Sequence, residues 1–141
     1  MSFAAAEADR RIANVIQIGR VTAVGAGTAR VAIGELETPD IPVGQYRAGG
    51  LSLWWMPTVG EQVVIACPSG DLARAVILCS IYAGNAPFSD PAVPMIALAG
   101  GRMVIDGTLE VTGDVIAAGI SLTTHTHDGV IAGGDSTGGP Q

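Results

Sequence analysis

The chain carries only two histidines, His125 and His127, with Thr126 between them. In an extended strand, residues i and i+2 point to the same side, so both imidazoles share one face. Neutral imidazoles are ligands for Fe, Ni, Cu and Zn. Two nitrogens do not complete a coordination sphere, but a pair from each of three chains around an axis supplies six. Such an octahedral set differs from the tetrahedral geometry of structural zinc. Ligation requires unprotonated rings, so acidification should weaken it. An HxH pair by itself is a weak motif, equally at home on a solvated strand end, and the segment leading into it must decide. Asp128, next to His127, has two readings: an acceptor that orients an imidazole, or a charge that keeps the chain end soluble.

Little else suggests chemistry. Cys67 and Cys79 lie in apolar, strand-like runs without a CxxC pattern and read as free buried thiols. The sequence offers no Ser-His-Asp spacing and no acid pair of the glycosidase kind.

The segment before the histidines repeats. Gly101, Gly107, Gly113 and Gly119 recur every six residues, opening GRMVID, GTLEVT, GDVIAA and GISLTT. An even period keeps a β-chain on the same face from one repeat to the next. Met103, Ile105, Leu109, Val111, Val115 and Ala117 hold odd positions, while Arg102, Asp106, Thr108, Glu110, Thr112 and Asp114 hold even ones. The odd face is dry. His125 and His127 share its parity, but Ile120 and Leu122 break the rule and imply a bulge or rotation near Gly119. Hexads suggest a β-helix. Four of them give little more than one coil of a single-chain β-helix, too little to stack a core. Three chains, each giving one strand per layer, would bring three dry stripes together on an axis. The expectation is an intertwined trimeric β-helix spike over residues 101–128, with a Gly-rich tip segment over 129–141.

Upstream, residues 1–17 read as an N-terminal helix, since Ala4–Ala6 favour helix and Ile12, Val15 and Ile16 recur at helical spacing. Residues 18–83 show short β-runs punctuated by Gly and Pro. Gly19–Val24 and Ala29–Ile33 form a hairpin around Gly25-Ala26-Gly27. Pro39, Asp40 and Pro42 break the pattern, and further strands are expected at Leu51–Trp55, Gln62–Cys67 and Ala73–Tyr82. Five short strands suit an OB-fold barrel, with Tyr46, Trp54, Trp55 and Tyr82 supplying core or subunit packing. Residues 84–100 are a proline-rich linker. The expected fold is all-β: an N-terminal OB-fold barrel, preceded by a short helix and followed by the trimeric spike.

Composition narrows the function. Thirteen acids face seven arginines and no lysine, a net charge of −6, which disfavours a nucleic-acid partner. Hydrophobic residues make up 48% of the chain, too many for a disordered tail. No signal-peptide pattern opens the sequence, and no apolar run is long enough for a membrane helix.

Taken together, the chain resembles the phage baseplate assembly protein V family, the central spike of contractile phage tails and tailocins. The resemblance rests on the helix leading into Ile18-Gly19-Arg20-Val21, on Trp54–Pro57 with Gly60-Glu61-Gln62-Val63, and on the closing run from Ser121 through His125-Thr126-His127-Asp128-Gly129-Val130 to Gln141. It implies a homotrimer with one apical iron ion held octahedrally by His125 and His127 of each chain, another transition metal being the variant reading. It also implies assembly in the bacterial cytoplasm, docking to baseplate hub and tail tube proteins, and a place at the baseplate tip of a virion or tailocin particle. The work expected is puncture of a host outer membrane rather than catalysis. The competing readings are an OB module that binds oligosaccharide or oligonucleotide, and a hexapeptide-repeat acyltransferase, which would need many more hexads.

Overall fold

A computed structural model describes residues 2–129 and Gly133. The chain divides into two compact units, Met1–Met95 and Ile96–Gln141. The fold is mostly sheet with one short helix.

Helix α1 spans Phe3–Ala13 and starts where Ser2, in extended conformation, accepts a hydrogen bond from Ala5 N at 3.2 Å. One turn on, Glu7 accepts from Arg10 and Arg11 at 2.8–3.0 Å. The hydrogen bond from Arg10, then that from Arg11, holds the Glu7 carboxyl down at about 2. A tight turn at Pro68–Gly70 lies against the helix. A Cβ on Gly70 would stand 2.5 Å from the Arg11 carbonyl oxygen, and φ there is +70°, so only glycine fits.

Six strands follow: β1 (Ile16–Val24), β2 (Thr28–Ile33), β3 (Leu36–Glu37), β4 (Ile41–Pro42), β5 (Gln62–Ala66) and β6 (Val76–Ser80). β1 is the spine, antiparallel to β2 on one side and β5 on the other, and β5 pairs with β6. β4 pairs with the start of β2, and Val43 then makes a parallel bridge to Ile77. Gly44 N donates to Ile77 O at 2.8 Å. The circuit β1–β2–β4–β6–β5–β1 is thereby closed, giving the five-stranded barrel expected of an OB-fold, with β3 as an appendage. Its interior is built from small and β-branched side chains: Val21, Ala29, Val31, Ile41, Val63, Ile65, Cys67, Ala75 and Ile77. Thr38 is buried with them and accepts from Val31 N at 3.0 Å, so no polar atom is orphaned there.

Four expectations change. Helix α1 ends at Ala13, and Ile16, expected on the helix, opens β1 instead. The barrel strand between the hairpin and β5 is Ile41–Pro42, not Leu51–Trp55. Pro42 has no N–H to give, but Val43 N resumes the ladder to Gly27 O at 3.0 Å. Leu51–Trp55 instead belongs to a loop braced by a side-chain clamp, in which Gln45 accepts from Trp55 N at 3.0 Å and donates to Trp55 O at 3.2 Å. The aromatics are also outside the core: Tyr46, Trp54, Trp55 and Tyr82 are all exposed, because aliphatic side chains already fill the barrel. Finally, Cys79 is exposed while Cys67 is buried. The β5–β6 register shifts between Val64 and Ile65, and the extra residue turns both Leu78 and Cys79 outward.

In the second unit, the described residues form one ladder, β7 (Ile116–Ala117) with β8 (Ile120–Ser121). The six-residue period reappears as bends at Asp106-Gly107 and Thr112-Gly113 and a turn at Ala118-Gly119. No helix among the described residues is long and apolar enough to cross a membrane.

Candidate functional site

The approach to the histidines is set by the turn between β7 and β8. Ala118 and Gly119 both have positive φ, +50° and +83°, the signature of a two-residue type I′ hairpin. Ile116 faces Ser121, Ala117 faces Ile120, and Leu122 N donates to Val115 O at 2.8 Å. Residues directly opposite in a ladder share a face. Val115, Ala117, Ile120 and Leu122 therefore lie on one side, and odd parity becomes even across the turn. The parity break in the sequence is thus a reversal of the chain, through which the dry stripe continues.

The histidines are placed by a second turn. Residues 122–124 curl back so that His125 N donates to Ser121 O at 3.2 Å. Thr124 N and Oγ1 both reach Ser121 Oγ, at 3.0 and 2.8 Å. His125 Nδ1 then lies 2.8 Å from Ser121 O and 3.2 Å from Leu122 O. Carbonyl oxygens only accept, so Nδ1 carries the proton and the lone pair is left on Nε2. The His125 and His127 rings stand edge to face, with centroids 5.1 Å apart. The orientation of His125 comes from this turn and not from strand parity.

Asp114 is the residue that sequence reasoning passed over. It read only as one member of a polar face, yet Oδ1 accepts from Val115 N at 2.8 Å and from Thr123 N at 3.1 Å. Hydrogen bonding to Ser121, and then to Thr123 and Val115, holds its carboxyl below the ordinary range. It pins the mouth of the hairpin just before the histidine turn. The only available signal was an Asp two residues ahead of an apolar pair and an Ala-Gly turn. Asp128 makes no hydrogen bond to either imidazole among the described residues, where backbone carbonyls take the orienting role on His125.

Two adjacent imidazoles, one with its Nε2 lone pair presented, fit a nitrogen-ligated transition ion. Among the described residues no group of three or more His, Cys, Asp or Glu comes together. Elsewhere, a cleft of about 470 Å³ beside α1 is lined by Arg10, Arg11, Asn14, Asp71 and Arg74, without histidine or thiol. Burial, followed by the Asp71 charge, pushes the Cys67 thiol up and keeps it unreactive.

Barrel and tip each match a known family. Residues 17–82 match the type VI secretion system/phage-baseplate injector OB domain. Residues 119–141 match the GpV apex motif, which opens on the Gly119 turn and contains both histidines. An injector barrel joined to an apex motif defines a baseplate spike. The chain is also 38% identical over 94 residues to the spike protein of Escherichia phage P2. That match covers 65% of this chain and 44% of the relative, so the chain matches less than half of that protein's length. In barrel and tip alike, the chain is similar to the phage baseplate spike family.

Proposed function

We propose that three copies of this chain form the membrane-piercing spike at the tip of a contractile-tail baseplate, in a virion or tailocin particle assembled in the bacterial cytoplasm. The observation that carries this reading is the apolar stripe. In the lone chain Met103 is 46% exposed, Ile105 52%, Leu109 65%, Val111 45%, Val115 41% and Leu122 65%. Burying what is left of each side chain would contribute roughly 1 kcal/mol apiece. Summed over three chains wound about a common axis as a β-helix over 101–128, that supports a stable trimer where one chain has no core.

The stripe leads into His125 and His127, and three copies bring six imidazoles to the axis. Iron suits this octahedral nitrogen set, and its bound form would cross-link the three chain ends. The chain's own groups prepare that site. Ser121 O and Leu122 O fix the His125 tautomer, while Asp114 and the Gly119 turn fix Ser121. The Gly-rich segment proposed to close the tip, 129–141, lies outside the described residues except for Gly129 and Gly133.

The work is mechanical. Sheath contraction transmitted through hub and tail tube drives the narrow end into the outer membrane of the host, and the braced tip resists splaying. The linker over 84–100 would join barrel to spike. Native mass spectrometry tests the assembly: the intact chain should appear as a trimer. Val111→Asp, which sets three carboxylates on the axis, should appear as monomer. A monomeric parent chain would end this reading.

A further inference from the structure

The end of helix α1 and the turns after β5 line a basic cleft for which puncture has no use. The junction is held firmly. Cys67 N donates to Val15 O at 2.7 Å, Ile16 pairs with Ala66, and the Pro68–Gly70 turn meets the Arg11 backbone so closely that only Gly70 fits. To the cleft of about 470 Å³, α1 gives Arg10 and Arg11, and the turn Leu72–Arg74 gives Arg74. Arginine is the chain's only basic residue type besides its two histidines, and three of the seven arginines gather here. Nearby acids leave much of this charge unmatched. Glu7 accepts from Nε and Nη2 of Arg10 but only from Nε of Arg11, so the terminal amino groups of Arg11 have no partner among the described residues. Asp71, the one acid lining the cleft, has Oδ1 engaged by Ala73 N at 2.9 Å. Arg74 forms no ion pair among the described residues. Leu36 and Leu72 add an apolar wall.

We propose that this cleft docks an acidic peptide segment presented by another protein, one with an Asp or Glu beside an apolar side chain. Charge complementarity selects that class. On a chain of net charge −6, three guanidiniums facing one carboxylate make a local pole of opposite sign, which steers and orients an acidic partner. A guanidinium fork binds a carboxylate through two parallel hydrogen bonds, and Arg74 has its whole fork to offer. The wall of Leu36 and Leu72 then receives the neighbouring apolar side chain. Exposure favours a peptide over a small anion. The side chains of Arg10 and Arg11 are 61% and 59% exposed, and ion pairs so open to water hold a free anion weakly. A peptide laid across them excludes water and strengthens the same pairs. Nucleic acid fits worse, because Glu7 and Asp71 flank the arginines and would meet its continuous phosphate charge. The cleft is built within the first unit of one chain, so docking there does not depend on the trimer.

The test uses the full-length protein and two synthetic peptides, Glu-Leu-Glu-Leu and its Gln-Leu-Gln-Leu counterpart, each carrying an uncharged dye and read by fluorescence anisotropy. The acidic peptide should bind saturably, the glutamine peptide about ten-fold more weakly. Affinity for the acidic peptide should fall several-fold as salt is raised. Arg74→Gln alters an exposed side chain and keeps the backbone bonds of its turn, so it should lose about ten-fold in affinity with the melting temperature unchanged. Arg47→Gln removes the same charge outside the cleft and should bind as the parent does. Inorganic phosphate and glutarate should displace the peptide only at far higher concentrations than the peptide itself requires. Displacement by either at similar concentrations would make the cleft a small-anion site and overturn the proposal. Binding that ignores Arg74→Gln would overturn it too, as would a parent protein that takes up no acidic peptide. The mass in solution, measured on the same samples, reports on the trimer separately, so failure of one reading is distinguishable from failure of the other.

Discussion

Gly119→Val isolates the turn that aims the histidines. Gly119 has φ +83°, and a Cβ built there meets nothing within 4 Å. The substitution therefore creates no clash, and its whole effect is conformational. An L-residue held in the left-handed region costs roughly 1–2 kcal/mol, and a β-branched one sits at the upper end. Ala118 is already at φ +50°, so the hairpin cannot shift the strain onto its neighbour. The cost falls on the ladder that binds Leu122 N to Val115 O and Thr123 N to Asp114, and hence on the Ser121 carbonyl that orients His125. Expressed as metal affinity, the loss is about 5–30-fold per chain, and three chains share one site. The assay is the rate of metal release to a chelator, read alongside the melting temperature. Gly119→Asn should recover most of the loss, since Asn tolerates the left-handed region. A valine variant with wild-type release and melting would refute this account of the turn.

Three other outcomes follow from the same structure. Ile65, fully buried in the barrel, should lose about 2–5 kcal/mol on replacement by Ala, seen as a lower urea midpoint for the barrel; an unchanged midpoint would contradict the assigned core. Glu7 has its carboxyl lowered to about 2 in the folded helix, so the stability it lends is present above the ordinary carboxylate range and lost as pH falls from 4.5 toward 2. Helical ellipticity should decline across that window, and Glu7→Gln should flatten the decline. His125→Ala with His127→Ala should abolish metal content while the mass in solution stays that of a trimer, because the stripe is untouched; dissociation to monomers would mean that the metal, not the stripe, holds the chains together.

The barrel was legible where burial and strand period coincide. Val21, Val31, Val63 and Ile65 alternate cleanly, and the Gly25–Gly27 hairpin falls where turn chemistry puts it. Ile41–Pro42 was hidden because a proline looks like a breaker, whereas the missing N–H is made good one residue later. Trp54 and Trp55 misled in the opposite direction, since bulk suggests a core and only the filled barrel excludes them from it. At the tip, the glycine period and the histidine pair could be read directly. The parity of the histidines could not, because a two-residue turn exchanges odd for even and a second turn at 122–124 resets it again. Asp114 escaped notice for the same reason: its partners, Ser121 and Thr123, come near it only after the chain has reversed.

The central claim is that His125 and His127 of three chains hold one ion. Elemental analysis of the purified protein, with its mass in solution measured on the same sample, tests this most directly. The account predicts one transition-metal ion, iron, for every three chains, and none in the double histidine variant. A metal-free trimer with both histidine rings well ordered would contradict it.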